Sequence, residues 1–364
     1  MRPHNQNRKQ STQDPSVRRT TIVTMSEIPA DARLGVVVIG RNEGERLARC
    51  LASVRGFPNR VYVDSGSTDG SVPLARREGA SLVELTQPPP FTAARARNAG
   101  IEQVLMNDPT AEFVQTVDGD CEVQEGWITA ALAALRAEPR LALVFGRRRE
   151  RHPQRSIYNA LCDQEWDAPV GEASGVGGDA LFRIAALRQV NFYNAAMIAG
   201  EDTELAMRLR KRGWGLRRID AEMTLHDAAI TRFAQWWSRI RRSGHGYAEM
   251  AHLHPDAREP NWPRIVRRIV FWGGLMPAAL LSAAVLAVMA DARWWLAVLL
   301  LLLAWPANIL RLILRERSHG SSARLARATG VFLVVGKLPQ FLGLLGYYRD
   351  RLLRRASQLI EYKG

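Results

Sequence analysis

Two long apolar stretches near the C-terminal end constrain this chain more than any other feature. Residues 269–290 contain no charged side chain, and residues 294–314 contain a single one, Arg311. Each stretch is about 20 residues long, the length at which an α-helix crosses the hydrocarbon core of a bilayer. Only residues 291–293 separate them, so we predict a tight transmembrane hairpin. A buried helix pair in a soluble core is the alternative, but uncharged runs of this length are rare there.

The residues that flank the hairpin predict its orientation. Both flanks are rich in arginine: Arg264, Arg267 and Arg268 before the first span, and Arg311, Arg315, Arg317, Arg324 and Arg327 after the second. Loops rich in arginine and lysine stay on the cytoplasmic side of a membrane. We therefore predict a multi-pass protein of the cell inner (cytoplasmic) membrane, with the part of the chain before the hairpin in the cytoplasm.

A third apolar stretch, residues 328–348, has a different character. It carries Lys337 and Pro339 near its middle, and a basic segment, residues 349–355, follows it. A third crossing would place this basic segment outside, against the charge rule. We predict a re-entrant or interfacial segment over about 328–360, whose arginines face the anionic leaflet.

Charge and cysteine content exclude other classes of protein. The formal net charge is +14, but residues 1–24 hold five Arg or Lys against one acid, and residues 311–364 hold eleven against three. Basic charge confined to the ends is typical of tails and membrane flanks, so we predict no nucleic-acid partner. The three cysteines have no paired spacing, which argues against a disulfide framework or a zinc ribbon.

Composition divides the chain into three parts. Residues 1–33 are polar and predict a disordered lead, within which Met25 is a second candidate start. Residues 34–260 have an ordinary globular composition, and residues 261–364 form the membrane-attachment region. Within 34–260, apolar runs that read as strands alternate with segments of helical spacing, which predicts an α/β fold with a mostly parallel sheet. The predicted strands are 34–39, 60–63, 81–85, 112–117 and 141–145, and the helices are 44–54, 71–78, 93–106 and 127–137.

Carboxylates gather where these strands end. The sequence G-R-N-E-G (40–44) follows the first strand, D-S-G-S-T-D-G (64–70) the second and D-G-D (118–120) the fourth. Ligands bind at the carboxyl ends of strands in such sheets. Mg²⁺ and Mn²⁺ favour carboxylate and phosphate oxygens, so the D-G-D turn is a candidate metal site. A lone D-x-D is more often a solvated turn. Here the motif ends a buried strand and a further carboxylate, Asp64, follows a strand two earlier, which favours a site over a solvated turn.

A second acidic group begins a predicted helix further along the chain. In G-E-D-T-E-L-A-M-R-L-R (200–210), acids start the helix and bases end it. Acidic residues at a helix N-terminus also have a simple explanation in the helix dipole, so the residues alone leave Glu201, Asp202 and Glu204 open.

Six short motifs follow one another along the chain. They are V-V-V-I-G-R-N-E-G (36–44), V-D-S-G-S-T-D-G (63–70), A-R-A-R-N-A-G (94–100), V-D-G-D (117–120), G-G-D-A-L-F-R (177–183) and G-E-D-T-E-L-A-M-R-L-R (200–210). They span about half the chain and are weak singly, but in this order they specifically resemble the family 2 glycosyltransferases of the GT-A fold. The resemblance implies an enzyme that transfers a sugar from a nucleotide-sugar donor, with inversion at the anomeric carbon.

The resemblance also implies roles for individual residues. Asp64 matches the carboxylate that contacts the base of the donor, and Asp118 the one near the ribose and diphosphate; Asn42, Glu43 and Arg97 belong to the same donor-side motifs. Asp120 matches a ligand of Mg²⁺ or Mn²⁺, and Asp202 matches the catalytic base.

Several positions depart from the family pattern or extend it. Asp64-Ser65 stands where many members have two aspartates, and Gly177-Gly178-Asp179 where Gly-Gly-Asn is frequent. Asp179 is either structural or an acceptor contact, and we favour the acceptor side, where Glu201 also belongs. The Q-x-x-R-W signature of processive synthases is missing. In its neighbourhood Arg239, Arg242 and His245 either close over the diphosphate or form a basic juxtamembrane helix.

Two further sites have open alternatives. His226, in T-L-H-D, either completes the metal site or is a structural histidine. Glu165-Trp166 either line the acceptor pocket or belong to the core.

We thus predict an inverting, metal-assisted glycosyltransferase at the cytoplasmic membrane face, with a lipid or lipid-linked acceptor. Such an enzyme would serve cell-envelope glycan or glycolipid synthesis. The alternatives are a non-catalytic, nucleotide-sugar-binding membrane scaffold and a metal-dependent phosphohydrolase or nucleotidyltransferase. Neither alternative accounts for both the D-G-D turn and the Glu-Asp helix.

Overall fold

The computed structural model describes residues 32–85, 90–258 and 260–355. The predicted disordered lead, apart from its last two residues, and Met25 therefore lie outside the described residues. So does the end of the predicted interfacial segment, residues 356–360.

One mixed sheet of nine strands organises the described part of the chain before the hairpin. The strands are β1 (Leu34–Gly40), β2 (Arg60–Asp64), β3 (Ser81–Glu84), β4 (Phe113–Asp118), β5 (Cys121–Val123), β6 (Leu141–Glu150), β7 (Gly171–Glu172), β8 (Ala180–Arg183) and β9 (Gly215–His226). The helices of this part are α1 (Glu45–Ser53), α2 (Ser71–Arg77), α3 (Ala93–Asn107), α4 (Trp127–Ala137), α5 (Ile157–Glu165), α6 (Ile184–Gln189), α7 (Glu201–Lys211) and α8 (Phe233–Leu253).

The sheet is parallel where the sequence predicts βαβ units and mixed beyond them. The strand order is β3-β2-β1-β4-β8-β6-β9-β5, with β7 paired to β9. Strands β1, β2, β3 and β4 are parallel to one another, as are β6 and β9, whereas β8 runs antiparallel to both of its neighbours. Because β8 is antiparallel to β4, its start lies beside the end of β4. This arrangement brings the Gly-Gly-Asp turn next to the D-G-D turn.

Apolar residues explain why these segments form the sheet. Val36, Val37 and Val38 of β1 are fully buried, as expected for a strand covered on both faces. Glycine allows α3 to lie close to the sheet: a Cβ at Gly100 would overlap the Val37 side chain. This close packing fixes the position of Arg97 one helical turn before Gly100.

The membrane-attachment region consists of long helices. The first runs without interruption through α9 (Trp262–Val270), a π-helical segment (Phe271–Leu275) and α10 (Met276–Met289). It is followed by α11 (Trp294–Ser318), α12 (Ala323–Val335) and α13 (Lys337–Leu352). Residues Trp262–Met289, Trp294–Ser318 and Ala323–Leu352 are each long and apolar enough to cross a membrane. The first two contain the predicted hairpin, and only residues 290–293 separate them.

The third apolar region packs against the charged helix α8. A Cβ at Gly244 of α8 would overlap the backbone of Gln340, and one at Gly343 of α13 would overlap the carbonyl of Arg241. Further along the same pair of helices, the His245 and Tyr347 rings are 5.2 Å apart. Helix α8 carries Arg239, Arg241, Arg242 and Glu249, so it does not lie in hydrocarbon. This contact supports the interfacial placement of α13, which stays a prediction.

A second junction joins α5 to the membrane helices through Gln164. Its Nε2 donates to Glu316 Oε2 at 3.0 Å, and its Oε1 accepts from Thr329 Oγ1 at 2.6 Å. Beside it, the Tyr158 ring meets the Phe332 ring edge-on at 5.5 Å. The apolar C-terminal helices therefore pack directly on α5, the helix that ends at Glu165.

Candidate active site

The loops that follow β1 and β2 are tied together at the carboxyl edge of the sheet. Asn42 adopts φ 55°, and its Oδ1 accepts from the Thr68 backbone N at 2.7 Å. Its own N–H donates to Ser67 Oγ at 2.9 Å, and the Gly44 N–H donates to Asp69 Oδ2 at 3.1 Å. The short polar side chain of asparagine suits this left-handed position. The two loops consequently form one rigid wall of the cleft.

Asp64 stands at the base of this wall and is buried. Its Oδ2 accepts from the N–H groups of Gly66 and Ser67 at 2.9 and 2.7 Å, and its Oδ1 accepts from the Tyr62 hydroxyl at 3.0 Å. Glu43, in the neighbouring loop, pairs with Arg46 at 3.0 Å. The predicted donor-side carboxylates are therefore held in fixed orientations.

Two arginines form salt bridges with Asp118 at the end of β4. Arg97 Nη2 lies 2.8 Å from Asp118 Oδ1, and Arg148 Nη2 lies 2.9 Å from Asp118 Oδ2. Both guanidinium groups are largely buried, with 3% and 12% of the side chain exposed. Charge-assisted bonds of this kind are strong in a dry environment, so the carboxylate is held in one orientation.

The same Arg97 reaches the acidic start of α7. Its Nη1 lies 2.8 Å from Glu201 Oε1 and 3.0 Å from Asp202 Oδ1. Gly200, at φ 82°, precedes the helix and permits the turn that directs both acids inward. Burial raises the pKa of Asp202 to about 8, Arg97 opposes the rise, and Glu201 and Asp118 add to it. A carboxyl group with a pKa near neutrality suits general-base chemistry.

Asp120 and His226 form a candidate metal pair below Asp118. Asp120 Oδ2 lies 3.2 Å from His226 Nε2, and both side chains are buried. Two neighbouring ligands of an octahedral ion, each about 2.1 Å from it, are about 3 Å apart, so the pair fits one divalent ion. Cys121 is close as well, but Mg²⁺ and Mn²⁺ favour oxygen and imidazole ligands over a thiol, and burial raises the pKa of this thiol well above its usual value. One carboxylate and one imidazole leave the other positions to phosphate oxygens and water.

Asp179 is buried among other groups. Its Oδ1 accepts from the Asp118 N–H at 2.9 Å, and its Oδ2 accepts from Thr224 Oγ1 at 2.7 Å and from Arg148 Nε at 2.9 Å. None of its side chain is exposed. These contacts favour a structural role that holds Asp118 and Arg148 over the acceptor contact we predicted.

The predicted residues of α8 are spread along the helix. Arg239 pairs with Glu165 at 2.8 Å, directly before Trp166. The Trp166 ring lies edge-on to His226 at 4.5 Å and next to the Arg148 guanidinium at 5.3 Å, so this partly exposed indole borders the site. His245, in contrast, is buried against Tyr347 of α13, where burial lowers its pKa to about 4. Arg242 is partly exposed on the same helix.

Sequence reasoning missed two side chains that contact the candidate site residues, Arg148 and Glu150. Both lie on β6, which continues five residues beyond its predicted end. Residues two apart share one face of a strand, so both side chains turn toward the cleft. The signal was the charged run R-R-R-E (147–150) directly after a buried apolar strand, which is unusual unless a site lies there.

The fold and this arrangement of carboxylates define a chain of the GT-A class. Residues 35–177 match Glycosyl transferase family 2, and residues 162–309 match Glycosyl transferase family group 2. The two matches together cover most of the chain and include each of the site residues described above. The chain belongs to the family 2 glycosyltransferases.

Two of three similar curated proteins carry a glycosyltransferase name. Two Mycobacterium tuberculosis proteins named pre-mycofactocin glycosyltransferase are each 28% identical over 270 residues, which is 70% of this chain and 53% of theirs. A TPR repeat-containing protein of Synechococcus elongatus is 30% identical over 186 residues, 42% of this chain and 44% of its own. The chain thus spans about half the length of these curated relatives.

A solved structure shares the fold. It is that of the mannosyltransferase PcManGT from Pyrobaculum calidifontis in complex with GDP-Man and Mn²⁺. It superposes with a TM-score of 0.58 at 17% identity, over 88% of each chain.

Proposed function

We propose that this chain is an inverting glycosyltransferase that moves a sugar from a nucleotide-sugar donor to a lipid-linked acceptor at the cytoplasmic membrane face. One observation carries the proposal. A single buried guanidinium, that of Arg97, joins Asp118 on the donor side to Asp202, the carboxyl group with a raised pKa. A donor at Asp118 and the proposed base would then lie within one side chain of each other.

The donor nucleotide would occupy the wall formed by the first two loops. Asn42, Glu43 and Asp64 lie there, and Asp118 with Arg97 closes its inner end. Because these side chains are already held in fixed orientations, donor binding would cost less conformational entropy. Asp120 and His226 would hold Mg²⁺ or Mn²⁺, which supplies charge neutralisation to a departing diphosphate.

Asp202 would accept the proton of the acceptor hydroxyl as that oxygen attacks the anomeric carbon. A direct displacement with one base inverts the configuration of that carbon. Glycoside hydrolases differ, because they need a pair of carboxyl groups, one on each side of the bond that is cleaved.

The acceptor would approach from the membrane side of the cleft. Helices α5 and α8 border that side and pack on the apolar helices through Gln164, Gly244 and Gly343. We assign Glu201, Arg239 and Arg242 to the acceptor or diphosphate side. For Asp179 and His245, which are buried, we propose positioning roles instead.

A donor screen tests the proposal. Membranes that contain the protein would receive UDP-, GDP- and dTDP-sugars, Mg²⁺ or Mn²⁺, and a native lipid extract, with nucleoside diphosphate release and labelled lipid as readouts. GDP-mannose with Mn²⁺ comes first, because the solved neighbour holds both. We expect one donor to label lipid, and Asp120→Ala and Asp202→Asn to abolish the labelling. The anomeric configuration of the product, read by NMR, tests inversion.

The same screen separates the alternatives. Metal-dependent binding of a donor without turnover would favour the scaffold, and donor cleavage without any acceptor would favour a phosphohydrolase. Pre-mycofactocin belongs in the acceptor panel because of the name of the M. tuberculosis relatives. Its labelling in place of lipid would contradict the lipid-linked acceptor while leaving the transferase intact.

A further inference from the structure

A second carboxylate faces His226 from the side opposite Asp120. Glu150 Oε2 lies 3.3 Å from His226 Nδ1, and Asp120 Oδ2 lies 3.2 Å from His226 Nε2. Each ring nitrogen of the histidine therefore meets one carboxylate. Neighbouring strands produce this contact, because Glu150 and His226 are paired residues of the parallel strands β6 and β9.

The Glu150 side chain is buried and is held in place by several hydrogen bonds. Its side chain has no exposed surface. Oε2 also accepts from the Ala228 N–H at 3.1 Å, while Oε1 accepts from Asn159 Nδ2 at 3.1 Å and from the His152 N–H at 3.2 Å. All these backbone and amide partners donate, so both oxygens of Glu150 serve as acceptors.

The position of Glu150 bears on how His226 would bind a cation. If Nε2 ligates a cation beside Asp120, the ring keeps its proton on Nδ1, where Glu150 Oε2 is placed to accept it. A histidine that ligates a metal commonly donates its other N–H to a carboxylate, which orients the ring and raises its basicity. We propose that Glu150 is a positioning residue that prepares His226 to ligate a divalent ion together with Asp120. This inference rests on the metal site of the proposed function.

Metal affinity, measured without donor or acceptor, tests the inference. The full chain in detergent would be titrated with Mn²⁺ alone, and free Mn²⁺ would be followed by EPR. We expect Glu150→Ala to weaken binding by about 10–100-fold. Glu150→Gln should lose less Mn²⁺ affinity, because its amide oxygen can still accept from Nδ1. This variant provides the test if Glu150→Ala fails to fold.

A matched control is available on the neighbouring strand. Glu222 of β9 pairs with Arg149 at the surface, with half of its side chain exposed. Glu222→Gln removes the same charge four residues from His226 without touching it, and we expect its Mn²⁺ affinity to equal that of the unaltered protein. If Glu222→Gln and Glu150→Gln lost the same Mn²⁺ affinity, the loss would come from long-range charge alone, and the proposal would be overturned.

A double-mutant cycle separates positioning from general loosening of the fold. If Glu150 acts through His226, adding Glu150→Ala to His226→Ala should change the Mn²⁺ affinity by less than about threefold. If Glu150→Ala lowered the Mn²⁺ affinity equally in the unaltered protein and in the His226→Ala variant, the proposal would be overturned. Mn²⁺ binding that survives in both Asp120→Ala and His226→Ala would remove the metal site and the inference with it. Mn²⁺ binding as expected, but without any donor turnover, would contradict the proposed function and leave the role of Glu150 standing.

Discussion

Arg97 Nη1 lies 3.0 Å from Asp202 Oδ1, and this contact sets the chemistry of the candidate base. Burial alone would keep the Asp202 carboxyl protonated, and the guanidinium works against that effect. The same guanidinium holds Asp118, whose charge also acts on Asp202, so a change at Asp118 alters the electrostatics of Asp202. Donor side and base are thus coupled electrostatically through one side chain.

The pH dependence of transfer follows from this contact. The base acts in its ionised form, and its pKa is about 8. With donor and acceptor far below saturation, we expect kcat/KM, which reports the free protein, to be constant above that pH and to fall about tenfold per unit below it. A rate that stays flat down to pH 6 would contradict the assignment of Asp202 as the base.

Two neighbours of Asp202 should shift this profile in opposite directions. Arg97 lowers the pKa of Asp202, so Arg97→Lys, which gives up the fork between Asp118 and Asp202, should move the inflection to higher pH. Glu201 raises the pKa, so Glu201→Gln should move it to lower pH. The measurement is kcat/KM from pH 6 to 10, and shifts of the same sign would count against the model of charge coupling.

The alternating part of the fold could be predicted from the sequence, because apolar strand runs and helical spacing are local signals. β1, α3 and α4 begin and end within about one residue of the predicted bounds. The mixed half of the sheet could not be predicted in this way. Strand β5 is only three residues long, and its partner β9 lies about a hundred residues further along the chain.

The candidate site divides along the same line. Asp64, Asp118 and Asp120 follow predicted strands, so their convergence was expected from topology. Arg148 and Glu150 depend on the extension of β6 beside β9, a long-range pairing with irregular register. His245 shows the converse: its neighbourhood in the sequence left open a diphosphate contact or a basic juxtamembrane helix, and in the structure α13 packs over it.

The Gly-Gly-Asp turn offers a paired test of how closely the site is packed. A Cβ at Gly178 would overlap Arg97 Nη2 and Asp118 Oδ2, whereas a Cβ at Gly177 has no neighbour within 4 Å. We expect Gly178→Ala to displace the Arg97–Asp118 pair and lower transfer by about 100-fold. Gly177→Ala should stay near the unaltered rate. Donor titration and turnover of the two variants decide the point, and equal behaviour would show that the turn tolerates a side chain at both positions.

Arg148 should matter for stability as well as for activity. It neutralises Asp179, whose side chain is fully buried. Arg148→Ala leaves that carboxylate without its cation, which costs about 3–5 kcal/mol when one partner of a buried pair is removed. Arg149, the next residue, pairs with Glu222 at the surface, so Arg149→Ala should cost at most about 1 kcal/mol. Denaturant unfolding in detergent compares the two, and similar losses would mean that Asp179 finds another partner.

Helix α13 carries a final pair of glycines that tests its attachment to α8. A Cβ at Gly343 would overlap the carbonyl oxygen of Arg241 and the backbone nitrogen of His245, while a Cβ at Gly346 has no neighbour within 4 Å. Backbone atoms cannot move aside as a side chain can, so we expect Gly343→Ala to force the helices apart and to destabilise the fold by about 1–3 kcal/mol. Gly346→Ala should be neutral or slightly stabilising, since alanine favours a helix over glycine. Limited proteolysis and thermal unfolding in detergent provide the measurement. Unchanged stability in Gly343→Ala would mean that α13 does not lie against α8, and the interfacial placement would lose its support.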